Sequence, residues 1–203
     1  ADLKQFFASK LRYEELGIPW RRGYLLFGTP GTGKTSLVTA LASDLSLNVC
    51  TLSLASPNIT DERIGNLLAS VPARSVILLE DIDSFFHQRQ KADAQVKLSY
   101  SGFINALDGV AAHEGSVVFL TTNHPDLIDD AAIRSGRVDV RMELSNCDGY
   151  QLEQMFLKFF PDANAAAKFA ASIPTGQFSP ATIQERLLKA KDVQAAFNAF
   201  SSE

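Results

Sequence analysis

The residues with the clearest chemical potential are Gly28-Thr29-Pro30-Gly31-Thr32-Gly33-Lys34-Thr35-Ser36, whose first eight fit the pattern GxxxxGK[ST]. Glycines let a backbone wrap closely round a phosphate. The N–H groups of such a loop, and of a helix starting right after it, supply donors and a favourable dipole. Lys34 would then reach the β and γ phosphates of a nucleotide, and the Thr35 hydroxyl is placed to bind a Mg²⁺ ion that bridges phosphate oxygens.

A second feature, an acidic one, follows Val76-Ile-Leu-Leu79, an apolar run that ends abruptly in Glu80-Asp81-Ile82-Asp83. Carboxylates at the end of a buried strand are costly unless something cationic meets them, and a metal–phosphate cluster does so. Successive strand residues point to opposite sides, so Glu80 and Asp81 cannot share one job. One should face Mg²⁺ and the other the attacking water. Val117-Val-Phe-Leu120-Thr-Thr-Asn123 is another apolar run with a polar end, where Asn123 could orient a water without adding charge. Further on, Arg134 and Arg137 flank a Gly turn, and arginine beside a nucleotide can stabilise charge developing on the γ-phosphate.

These residues need a frame. Short β-like runs at 23–27, 47–54, 75–80, 116–122 and 138–144 alternate with helix-like stretches at 34–45, 60–70 and 96–107, the last stopping at Asp108-Gly109. The pattern is α/β with a mostly parallel five-stranded sheet, and the non-alternating runs imply helices on both faces. Leu3, Phe6, Phe7 and Leu11 are spaced for a helix before the first strand. The polar stretch from His87 to Gln95 reads as an exposed loop. After Leu144 the spacing of Leu152, Met155, Phe156 and Phe159, and later of Ile183, Leu187 and Leu188, is helical, with Pro161, Pro174 and Pro180 as punctuation. The expected division is a nucleotide-binding domain over 1–145 and a small all-helical lid over 146–203.

Composition narrows the classes. The chain has 203 residues, 46% hydrophobic and 21% charged, enough to bury a sizeable core. Nineteen Lys and Arg against 23 Asp and Glu give a net charge of −4, so there is no global basic field for nucleic acid. The two cysteines show no CxxC spacing, and three scattered histidines assemble no zinc site. The apolar runs fall far short of the ~20 residues of a membrane-spanning helix. A chain that opens on Ala1 without Met is expected to be part of something longer.

The order of features (phosphate loop, acidic strand end, strand-terminal Asn, Arg-x-Gly-Arg, helical appendage) resembles the AAA ATPase family over nearly the whole chain. The resemblance implies a P-loop NTPase fold with ATP/ADP and Mg²⁺ as ligands. It matches Gly28 to Thr35 to the Walker A loop, Glu80 and Asp81 to the Walker B pair and Asn123 to sensor 1. Arg134 and Arg137 match fingers acting on a neighbouring subunit's nucleotide, and Ile18 matches a residue lining the adenine pocket. It also implies that the Asn123 strand lies between the other two motif strands. GIPWRRGYLLFGTPGTGKTS, SVILLEDIDSFF, SGFINALDGV and TTNHPDLIDDAAIRSGRVD bring the chain nearest, within that family, to mitochondrial chaperones that translocate the Rieske iron–sulfur protein into respiratory complex III. This implies a homo-oligomeric ring, heptameric by resemblance, a folded protein cargo and an ATPase domain on the matrix side of the inner membrane, anchored only through an amino-terminal segment outside this chain. The family's usual Asp-Glu order is here Glu-Asp, which leaves the division of labour open, with Thr35 and Glu80 taken as metal-directed and Asp81 as water-directed. Ala55-Ser-Pro-Asn-Ile-Thr60 lacks the aromatic-hydrophobic-Gly pore motif, against threading of an unfolded chain. A clamp-loader-like or other nucleic-acid-linked ATPase, and a slow-hydrolysing nucleotide switch, are the alternatives.

Overall fold

Apolar runs without alternation become strands covered on both faces. In the computed structural model, residues 2–54, 56, 58–72, 74–90, 97–110, 114–134 and 136–200 are described. The chain divides into two units, one of residues 1–27 and 34–143, the other of 28–33 and 144–203.

The first unit opens with helices α1 (Asp2–Ala8) and α2 (Lys10–Glu15). It continues through β1 (Arg21–Phe27), α3 (Lys34–Asp44), β2 (Asn48–Ser53), α4 (Asp61–Ala69), β3 (Ser75–Glu80), α5 (Ile82–Gln90), α6 (Tyr100–Val110), β4 (Ser116–Thr122) and β5 (Val140–Glu143). The strands form one sheet in the order β2-β3-β4-β1-β5, with every pairing parallel. The α/β reading is thus met, and β4 lies between β3 and β1 as the resemblance implied. Phe27 sits opposite Thr122, and Leu79 opposite Leu120. Parallel register therefore brings the carboxyl ends of β1, β3 and β4 side by side, the edge at which open α/β sheets bind ligands.

Consecutive residues Leu78, Leu79, Phe119 and Leu120 are each 1% exposed or less, so both faces of the central strands are covered. On one face Leu79, Val118 and Leu120 pack with Ile64, Phe85 and Phe103. On β1, Tyr24 stacks on Phe119 with ring centroids 4.6 Å apart. Helix α1 is tied down by polar contacts: the Asp2 carboxylate accepts the Tyr24 hydroxyl at 2.5 Å and Arg22 Nη2 at 2.7 Å. The Trp20 indole donates to the Phe6 carbonyl at 3.1 Å. Burial and then Asp2 push the Tyr24 phenol up, so it stays protonated and donates.

Three local expectations change. Residues 87–90 belong to α5 rather than to a loop, because Ile82, Phe85 and Phe86 repeat at helical spacing and are all buried; residues 91–95 lie outside the described residues. Helix α6 runs through Asp108-Gly109 to Val110, because Gly109 takes no positive φ and so does not end the helix. It starts at Tyr100 rather than near 96, where the Ser99 hydroxyl accepts the Gly102 N–H at 2.9 Å and the Asp61 carboxylate accepts the Ser99 N–H at 2.6 Å.

The second unit is helical as expected: α7 (Gly149–Phe159), α8 (Ala163–Ser172), α9 (Pro180–Lys189) and α10 (Val193–Asn198). Each start has a side-chain cap. Asp148 accepts the Gln151 N–H while Gln151 reaches back to the Asp148 N–H, and Asp162, Ser179 and Asp192 accept from Ala165, Thr182 and Ala195. These caps satisfy amide groups that the helix cannot pair itself. The core centres on Phe156 and Phe169, with ring centroids 4.7 Å apart, and on Ile183 and Leu187. Cys147 is buried there, and burial pushes its thiol up.

Candidate active site

At the carboxyl edge of the sheet, the first turn of α3 meets the ends of β3 and β4. Lys34 is the first residue of α3 and is buried with Val38 and Ala42 at i+4 and i+8. Its ammonium donates to Asn123 Oδ1 at 2.7 Å. Burial pushes the Lys34 ammonium down, while the Asp81 and Asp83 carboxylates push it back up. One residue on, the Thr35 hydroxyl donates to Glu80 Oε1 at 2.6 Å. A hydroxyl and a carboxylate oxygen in contact are the hard oxygen donors that Mg²⁺ takes alongside phosphate and water, so these residues fit that ion. Ser36 is exposed on the same turn.

Asn123 faces both ways. With its carbonyl oxygen toward the Lys34 cation, its amide must face Asp81, and Nδ2 lies 3.4 Å from Asp81 Oδ1. Asp81 itself has φ +47°, in the left-handed region, at the turn from β3 into α5. Asp tolerates that region better than most residues, yet the conformation is sparsely populated and needs support. Thr121 provides it: its side chain, 2% exposed with the rest of the residue, accepts the Asp81 N–H at 3.1 Å. Asp83 accepts the Asn123 N–H at 3.2 Å and is itself buried.

The glycine loop 28–33 is grouped with the helical unit. Gly28, Gly31 and Gly33 all have positive φ, and at Gly31, φ +81°, an added Cβ would lie 2.8 Å from Ser179 Oγ. The Gly31 carbonyl accepts the Ala181 N–H at 3.1 Å. Within the loop Thr32 Oγ1 donates to the Thr29 carbonyl at 2.8 Å, and Thr29 Oγ1 donates to Asn146 Oδ1 at 3.2 Å. Pro30 sits between them in a turn.

The motif order and this geometry agree with comparisons to known proteins. Residues 24–146 match the model of the "ATPase family associated with various cellular activities (AAA)". The chain belongs to the AAA ATPase family. In this AAA ATPase, residues 149–201 match "Mitochondrial chaperone BCS1-like, ATPase lid domain". It is 43% identical to "Mitochondrial chaperone BCS1" of Homo sapiens, over 98% of this chain and 51% of that protein. It is 42% identical to "Probable mitochondrial chaperone BCS1-B" of Dictyostelium discoideum, over 90% and 47%, and 32% identical to an AAA-ATPase of Arabidopsis thaliana, over 96% and 42%. The chain thus spans about half the length of these curated relatives.

Of the residues expected to act, the AAA fold brings Lys34, Thr35, Glu80, Asp81 and Asn123 together. Ile18 is half exposed beside a cleft of about 240 Å³ that Tyr13, Leu16 and Arg22 also line. Arg134 and Arg137 lie in the turn before β5, and the hydrogen bonds of the Arg137 side chain go to Asp108 and the Ala131 carbonyl, to none of the residues in the cluster. Sequence reasoning missed the supporting roles of Thr121 and Asp83. Asp83 could have been found as the third acid of Glu80-Asp-Ile-Asp83. Thr121 carried no separate signal, since its partner is set only once β3 and β4 are neighbours.

Proposed function

We propose that this chain is the ATP-hydrolysing portion of a BCS1-like chaperone, working at subunit interfaces of a homo-oligomeric ring. The observation that carries the hydrolysis reading is the chain of contacts Lys34–Asn123–Asp81 beside Thr35–Glu80, which joins a phosphate-directed cation, a water-directed pair and a metal-directed pair. The glycine loop, with Gly28 to Gly33 leading straight into Lys34, offers backbone N–H groups to the phosphates of ATP. Lys34 holds the β and γ phosphates. Thr35 and Glu80 would hold Mg²⁺, which when bound neutralises charge on the phosphate oxygens. Asp81 accepts a proton from water, and Asn123 fixes the position of that carboxylate. The water oxygen bonds to the γ-phosphorus as the bond to the β–γ bridging oxygen breaks, leaving ADP and phosphate.

The cargo reading is a folded protein, the Rieske iron–sulfur protein, moved at the mitochondrial inner membrane with this domain on the matrix side and an anchor outside the chain. Two observations support it. The lid matches the BCS1-like model, and in the segment where other AAA proteins carry an apolar pore motif, Ile59 is buried at 5% exposure and turned into the core. Among the described residues no helix is long and apolar enough to cross a membrane. The ring, its heptameric count and the exclusion of nucleic acid belong to the same proposal.

The test is steady-state phosphate release with MgATP, alongside calorimetric nucleotide binding. Lys34→Ala should lose binding, and Asp81→Asn should bind MgATP without turning it over. An Asp81→Asn protein that hydrolyses at the original rate would overturn the mechanism.

A further inference from the structure

Arg134 and Arg137 are set in one turn but in different surroundings. The Arg137 guanidinium makes a two-pronged pair with Asp108 near the end of α6, Nε to Oδ1 at 2.8 Å and Nη2 to Oδ2 at 2.7 Å. Its third nitrogen, Nη1, donates to the Ala131 carbonyl at the start of the same turn. The Arg137 side chain is 5% exposed, against 47% for Asp108. The backbone is fixed as well. Arg137 and Val138 donate their N–H groups to the Arg134 carbonyl at 3.1 and 3.2 Å. Asp139 exchanges hydrogen bonds with Gly23 of β1, at 2.9 Å from its own N–H and 2.8 Å to its carboxylate. A side chain at Gly23 would collide with the Arg137 carbonyl. Arg134, by contrast, is exposed; its charge helps Arg137 hold the Asp108 carboxyl down, but among the described residues only Arg137 hydrogen-bonds to that carboxylate.

We infer that the two arginines divide the work: Arg134 alone reaches the neighbouring subunit's nucleotide, while Arg137, clamped by Asp108, is a positioning residue that holds the turn presenting Arg134. The inference rests on the hydrolysis reading above and assigns Asp108 a part in it. The physical ground is that a planar guanidinium with each of its three nitrogens tied to a partner, through three of its five N–H donors, and with its side chain 5% exposed is held away from a phosphate on another subunit. Extracting it would cost that pairing and leave Asp108 without its partner. The Arg134 carbonyl, gripped by the amides of Arg137 and Val138, ties the outward-facing arginine to the clamped one through two backbone bonds.

A charge swap and a double-mutant cycle separate clamp from finger. Arg134→Ala should lower kcat by ~10³-fold or more, the scale of a trans-acting arginine, with KM for ATP little changed. Asp108→Asn and Arg137→Ala should each lower kcat with the same preserved KM, and the double variant should be no worse than either single one. Asp108→Glu, and the swap Asp108→Arg with Arg137→Asp, should recover activity, because each can remake the clamp. Were Arg137 a finger, an Asp there would face the γ-phosphate and the swap would stay dead. Arg137→Ala would then cost the same whether or not Asp108 is present. Additive losses, or an Arg134→Ala protein with its original kcat, overturn the inference. If the swapped protein fails to fold by thermal melting, the Asp108→Asn cycle still decides. A parent chain without hydrolysis would count against the ATPase reading instead, and the same cycle read in thermal unfolding would then test the clamp, absence of coupling refuting it.

Discussion

Replacing Thr121 by Val removes one hydroxyl from the site and touches neither nucleotide nor metal-directed residues. In the structure that hydroxyl accepts the Asp81 N–H at 3.1 Å, and Asp81 sits at φ +47°. Asp81 is exposed, so water can take over its N–H and the cost of the lost bond falls at the low end of the usual range, about 1 kcal/mol. Global stability should hardly move, since Val buries slightly more apolar surface at the same place. The local effect is larger in consequence. A left-handed residue holds about 1–3 kcal/mol of strain, and with about 1 kcal/mol of its support gone the equilibrium between the productive backbone and its relaxed alternatives shifts about fivefold toward the latter. The expected result is a kcat lower by up to about fivefold with KM for ATP unchanged, because Lys34 and the glycine loop are untouched. Phosphate release measured across ATP concentrations reads both, and Thr121→Ser should restore the rate. An unchanged kcat in a folded Thr121→Val protein, or a Ser variant as slow as the Val one, would refute the reasoning.

Glu80→Gln should weaken the Mg²⁺ dependence of ATP binding while Asp81→Asn leaves it intact, as read by calorimetry with and without Mg²⁺; the reverse pattern would exchange the two roles. Asp148→Ala, which breaks the capping box of α7, should cost about 1 kcal/mol, seen as a melting-temperature drop of about 2–4 °C with nucleotide binding preserved. The hydrogen bonds from Arg137 hold the Asp108 carboxyl below its ordinary value of 3.8, so the pair's stabilisation is present above that pH and is lost as pH falls through the depressed value. Asp108→Asn should therefore flatten the acid limb of a stability-versus-pH profile, and an unaltered limb would count against the pair.

The parts of the site that could be read from the sequence are those fixed by spacing along the chain. Gly28 to Thr35 must be loop then helix start, and the abrupt ends of Val76–Glu80 and Val117–Asn123 mark strand ends that a parallel sheet aligns. What could not be read depends on pairing across the chain. Thr121 meets Asp81 only because β3 and β4 are neighbours. Arg137 finds Asp108 across 29 positions, and two arginines of the same motif look alike until burial separates them. Helix α5 was hidden for a different reason. The polar residues after Phe86 masked a three-residue apolar face, Ile82, Phe85 and Phe86, that is sufficient to dock a helix on the sheet. In α6, a glycine that commonly ends helices is simply carried along.

The left-handed turn at Asp81 also bears on why the acids run Glu-Asp. A short side chain that can hydrogen-bond locally is tolerated at positive φ, whereas a longer acid has no such advantage. At position 81 the shorter carboxylate therefore carries the lower backbone cost. The position before it is ordinary strand, free to carry the longer one, and Glu80 spends that extra length reaching the Thr35 hydroxyl at 2.6 Å. Relative to the commoner order, the methylene is relocated: reach is given to the acid on the metal side, and closeness to Asn123 to the acid on the water side.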